Sequence, residues 1–84
     1  MTILETYQDI KSKHPDAIVF MRLGNFYEAF NEDAELAASE AGLTLHTVGA
    51  RQIKMAGAQS GAIDSYVARL VEKGHRVAMA ERKE

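Results

Sequence analysis

The sequence predicts a small α/β (α+β) domain, a mixed β-sheet flanked by about three helices, and three observations carry that expectation. Apolar residues recur at helical spacing near both ends of the chain. The run Ala17 to Met21 is apolar on both parities, as in a strand covered on both faces. Gly and Pro punctuate the segments between. With 84 residues, residues 1–84 are expected to form a single domain. Size scaling gives a folded surface of roughly 5,000 Å² against roughly 13,500 Å² unfolded, so about 60% of the surface is buried, enough for a thin core.

Taken in order, Ile3, Tyr7 and Ile10 recur at i, i+4, i+7 beside Leu4, with Thr2 placed to cap a first helix ending near Lys13. His14-Pro15-Asp16 turns the chain, since a proline forces its predecessor out of the helical region. The strand Ala17 to Met21 leads to Leu23-Gly24-Asn25-Phe26, a two-residue hairpin turn in which Gly24 and Asn25 accept positive φ. A return strand runs from Phe26 to Phe30. Asn31 offers an N-cap to a second helix. Glu32, Asp33 and Glu35 in its first turn read as solvated charges compensating the helix dipole. Ala34, Ala37, Ala38 and Ala41 form its inner stripe, and Gly42 stops it. Leu43 to Val48 alternates like a half-buried strand. Gly49 to Gly61 is the most loop-like part, with a short strand at Ile53 to Ala56. Ile63, Tyr66, Val67, Leu70 and Val71 give a third helix closed by Gly74, and Val77 to Ala80 a last strand.

Composition excludes several functions. There is no Cys, hence no disulfide framework, thiolate metal site or thiol nucleophile. No apolar run approaches the roughly 20 residues a membrane span needs, and Glu5 and Asp9 replace the basic start of a signal peptide. A cytoplasmic location is expected. His14, His46 and His75 lie about thirty residues apart without metal-ligand spacing, and no phosphate-cradling loop or nucleophile elbow occurs. No catalytic role and no cofactor are expected. A net charge of −2 lacks the basic footprint of a strong free-standing nucleic-acid binder.

The hairpin is where chemistry concentrates. Alternation puts Phe26, Glu28 and Phe30 on one face and Tyr27 and Ala29 on the other. The two-residue turn pairs Phe26 with Leu23, Met21 with Glu28 and Val19 with Phe30. An aromatic ring at the tip, with a carboxyl group two residues along the same face, can wedge between base steps while the carboxyl hydrogen-bonds a base edge; the alternative on these residues alone is a ring that closes the rim of the core.

These residues carry a resemblance. Gly24-Asn25-Phe26-Tyr27-Glu28-Ala29-Phe30, preceded by His14-Pro15-Asp16 and Met21-Arg22-Leu23, resembles the N-terminal mismatch-recognition domain of the MutS family of DNA mismatch repair proteins. The resemblance continues through Asp33 to Ala37, Leu43-Thr44-Leu45, Met55-Ala56-Gly57, Tyr66 to Val71, Gly74 and Val77-Ala78. It implies a mixed sheet with helices, followed in the family by connector, lever, clamp and ATPase domains, with ATP binding confined to the full-length members. It also implies that Phe26 stacks on a mispaired base from the minor groove while Glu28 hydrogen-bonds it. The implied partner is mispaired double-stranded DNA, bound weakly by this domain alone. Asn25 stands where an acidic turn residue is usual, Lys54 to Gly61 lacks the family's prolines, and Ala80-Glu81-Arg82 replaces a common Cys-Glu-Gln. Arg22, Arg51, Lys54, Lys73, Arg76, Arg82 and Lys83 are available for phosphates, with Arg51 and Lys54 the preferred pair. The alternative is a protein-interaction module that keeps this fold without autonomous DNA binding and docks on repair or mobile-element proteins.

Overall fold

The computed structural model describes residues 2–82. Thr2 caps helix α1 (Ile3–Lys13): its side chain accepts from the Glu5 amide while the Glu5 carboxylate accepts from the Thr2 amide, closing a capping box. The expected stripe holds at Tyr7 and Ile10, with Leu4 rather than Ile3 completing it. Leu4, Tyr7 and Ile10 face the sheet, and Ile3 is exposed.

Strand β1 (Ala17–Leu23) and strand β2 (Phe26–Phe30) form the expected hairpin, with Met21 opposite Glu28, Arg22 opposite Tyr27 and Leu23 opposite Phe26. Only Gly24 takes positive φ, at 62°. Asn25 does not, so the turn follows the II′ pattern, with glycine at its first central position. Ile18 to Met21 are all buried, as expected of a strand covered on both sides.

Helix α2 (Asn31–Ala41) departs from expectation at its start. Phe30 stands at the N-cap without a side-chain bond. Asn31 instead has φ 55°, a left-handed conformation in which Asn is enriched among non-glycine residues. Gly42, with φ 83°, ends the helix, and the Leu43 amide reaches back to the Ala37 carbonyl. That return carries Leu43 into the core, so strand β3 begins only at His46 (His46–Val48) and is exposed throughout.

The loop expected from Gly49 to Gly61 is mostly strand. After a turn, strand β4 (Ile53–Gln59) pairs antiparallel with β2 along five residues and with β3 along three. Helix α3 (Ile63–Glu72) and strand β5 (Arg76–Ala80) follow, β5 lying parallel to β1. The single sheet has the order β3-β4-β2-β1-β5. The exposed surface of the whole chain is 5285 Å², close to the scaling value.

Two cores sandwich this sheet. On one face Ile18, Phe20, Ala29 and Ala56 pack against Ala34, Ala37 and Ala41 of α2 and Ile63 and Leu70 of α3. The small α2 residues bring the helix close to the sheet. On the other face Val19, Met21 and Phe30 pack against Tyr7, Leu4 and Ile10 of α1. Among the described residues, α1 is the one helix that contributes to that core.

Asp33 corrects another expectation. It is 5% exposed rather than solvated. Its carboxylate accepts from Lys11 Nζ at 3.0 Å and from the Val19 amide at 3.0 Å. The Tyr7 hydroxyl lies 2.9 Å from Asp33 Oδ2 and 2.6 Å from the Val19 carbonyl oxygen, and can donate to either. One carboxylate thus ties α1, β1 and α2 together immediately behind Phe30.

Candidate nucleic-acid interface

Pleating sends Phe26, Glu28 and Phe30 to the α1 side of the sheet. Phe30 meets the Tyr7 ring at 4.7 Å between centroids, in the core. Phe26 is 44% exposed at the far end of the same strand. The ring therefore projects beyond the helix-covered part of the sheet, about 7 Å along the strand from Glu28.

Glu28 lies half-buried across strand β4, and the residue opposite it is Gly57. A Cβ on Gly57 would sit 2.2 Å from the Tyr27 carbonyl oxygen, 2.6 Å from Glu28 Cδ and 2.7 Å from Glu28 Oε1. The glycine is thus a groove that receives the carboxyl group. Glu28 Oε1 is buried with no hydrogen-bond partner among the described residues. Burial raises the Glu28 pKa above its ordinary 4.5, with the charge of His46 pulling in the opposite direction. A carboxyl group in this setting holds its proton to higher pH than a solvated one, and one of its oxygens is left without a hydrogen bond.

The turn itself is held from both sides. Arg22 Nε donates to the Gly24 carbonyl oxygen at 3.1 Å, and the Ser60 amide donates to the Asn25 carbonyl oxygen at 2.7 Å. The backbone at the tip is fixed, and the Phe26 side chain is what it presents.

Arg51 and Lys54 are not gathered at this point. Phe26 faces Gln59 on β4, whereas Arg51 precedes Ile53 at the opposite end of that strand, about 20 Å away at the usual strand rise. Hydrogen bonds to Thr2 hold the Glu5 carboxyl at the start of α1 below its ordinary range, and the Arg51 charge adds weakly in the same direction. Lys54 pairs across β3 with Thr47 and points to the α2 side, where Nζ meets Glu35 at 2.9 Å. Arg22 and Arg82 are the arginines at the hairpin end of the sheet, and Lys83 lies outside the described residues. The histidines stay apart: His75 pairs with Glu40 of α2 at 2.7 Å, and no group of three or more metal-ligating side chains forms among the described residues. No helix among them is long and apolar enough to cross a membrane.

The ring-and-carboxyl hairpin supplies the third and fourth strands of a β3-β4-β2-β1-β5 sheet, and a family model described as MutS domain I matches residues 1–84. The chain belongs to the MutS domain I family. Among its relatives is the DNA mismatch repair protein MutS of Halothermothrix orenii, 46% identical over 85 residues that cover 98% of this chain and 10% of that protein. The DNA mismatch repair protein MutS of Desulforamulus reducens is 45% identical over 98% of this chain, and that of Methanococcoides burtonii 41% over 96%, each match again covering 10% of the relative. This MutS domain I chain spans about a tenth of the length of the curated relatives it matches. Residue reading missed Gly57 and the backing role of Arg22. A glycine in a loop-like stretch carries no sign of the glutamate it accommodates until the β2–β4 register is known.

Proposed function

We propose that this MutS domain I chain is the mispair-contacting module of a DNA mismatch repair protein, with Phe26 as the stacking wedge and Glu28 as the base-edge contact. The single observation supporting it most is the exposed ring on a braced hairpin tip, sharing its face with a buried carboxyl oxygen that has no partner among the described residues. Phe26 enters from the minor groove and stacks on the mispaired base. Stacking accepts any base identity and contributes roughly 1–3 kcal/mol per base. Unstacking a step costs a few kcal/mol, least where pairing is already defective, so selectivity arises from what the DNA gives up. Glu28, shielded above the Gly57 groove, bonds the base edge and, when protonated, donates to a ring nitrogen or carbonyl acceptor. Arg51 contacts the DNA backbone remote from the wedge. Lys54 contributes there only after leaving Glu35.

With few phosphates neutralised, binding by this chain alone is weak and strongly salt-dependent. The test is an anisotropy titration of labelled matched and mispaired duplexes at low salt, with the native chain and Phe26→Ala. Preference for the mispaired duplex in the native chain, lost in the variant, supports the reading. A native chain that binds neither duplex moves the assignment to a protein-interaction module built on the same fold.

A further inference from the structure

The face of the hairpin opposite Phe26 carries a row of polar side chains that the wedge reading leaves unused. Arg22 of β1 and Tyr27 of β2 are cross-strand partners. The Arg22 guanidinium lies over the Tyr27 ring, 5.7 Å from its centroid, while its Nε donates to the Gly24 carbonyl oxygen at 3.1 Å. The Tyr27 hydroxyl donates to Glu81 Oε2 at 2.6 Å, just past the end of β5. A strap therefore runs behind the wedge over three adjacent strands, β5, β1 and β2, and ends on the peptide group of the turn that carries Phe26.

We infer that Arg22 is a positioning residue for the Phe26 ring, bracing the Gly24 peptide against Tyr27 and, through Tyr27, against Glu81, rather than a phosphate contact. This rests on the wedge reading above and adds to it the source of the ring's rigidity. Chemistry favours the assignment. Arginine alone combines a directed Nε–H donor with a planar cation that stacks on an aromatic face, whereas lysine is a mobile point charge that cannot hold both contacts. Both carbonyl groups of the turn are occupied, Gly24 by Arg22 and Asn25 by the Ser60 amide. A tip held this way does not have to be ordered when DNA binds, and ordering one side chain on binding typically lowers affinity by roughly three- to tenfold.

The experiment compares the full chain with Arg22→Lys, Arg22→Ala and Tyr27→Phe in titrations of mispaired and matched duplexes across a salt series. Amide hydrogen exchange at Asn25 and Phe26 is measured in parallel on free protein. All three variants are expected to lose roughly three- to tenfold in mispair preference, to keep the native salt slope and to exchange faster at the tip. Arg22→Lys with native preference, or Arg22→Ala with a salt slope smaller by about 0.9, the signature of one lost phosphate contact, overturns the inference. If Phe26→Ala itself keeps the mispair preference, the wedge reading is what has failed. The exchange data then decide Arg22 by themselves: unchanged tip exchange in Arg22→Lys overturns the bracing role, and faster exchange upholds it.

Discussion

Substituting Gly57 by alanine tests whether the glycine groove beneath Glu28 is a requirement of the fold and of the site together. The added methyl carbon would lie 2.2 Å from the Tyr27 carbonyl oxygen and 2.6–2.7 Å from the Glu28 carboxyl group. The carboxyl can swing aside, but the carbonyl belongs to backbone locked in the β2–β4 ladder. The strands must therefore separate locally, beside a core residue, Ala29, that has no exposed surface. Overpacking of this kind costs about 1–3 kcal/mol. For a chain of this size each kcal/mol lowers the melting temperature by roughly 4–8 °C, so a fall of about 5–20 °C is expected. Gly61→Ala is the control, because nothing lies within 4 Å of its Cβ position and its φ is not positive. Thermal unfolding followed by circular dichroism reads both. Equal melting temperatures for Gly57→Ala and Gly61→Ala would refute the packing argument. A stable Gly57→Ala chain with unaltered mispair preference would refute the link between the groove and Glu28.

Asp33→Asn should destabilise the chain by about 2–3 kcal/mol, read by urea denaturation, because hydrogen bonds to a charged group are each worth about 1.5–3 kcal/mol and Lys11 and the Val19 amide lose a carboxylate acceptor. Lys54→Ala removes only an exposed pair with Glu35. Stability should change by less than about 1 kcal/mol, with mispair preference retained in the same duplex titrations. The raised Glu28 pKa has a defined sign. The stability that it contributes is present below the ordinary value of 4.5 and is lost as pH rises through the higher folded value. If Glu28 donates its proton to a base, mispair preference should likewise weaken as pH rises through that window, and Glu28→Gln, a permanent donor, should flatten the dependence attributable to this carboxyl. A native chain whose preference strengthens over the same range would contradict donation.

Local signals were legible wherever one residue type decides one conformation. Thr2 capped α1, Gly42 ended α2, and Gly24 in a two-residue turn set the β1–β2 register that brings Phe26 and Glu28 to one face. What escaped was set by distant partners. Gly57 and Ala58 read as loop because neither favours a strand, yet Glu28 needs the absent side chain and Ala58 packs toward α2 and α3. Asp33 read as solvated because helix starts favour acids, but Tyr7, Lys11 and the Val19 amide converge on it from other elements. Arg51 and Lys54 were grouped by nearness in sequence. A seven-residue strand instead carries them away from Phe26, and pleating turns Lys54 to the opposite face.

The most direct measurement places 2-aminopurine at the mispair of a short duplex and follows its fluorescence as protein is added at low salt. Stacking of Phe26 on that base predicts a saturable emission change with the native chain, absent with Phe26→Ala at concentrations where both proteins bind by anisotropy, and much smaller on a fully paired control. Identical emission changes with native and Phe26→Ala protein would contradict insertion of this ring, whatever the affinities.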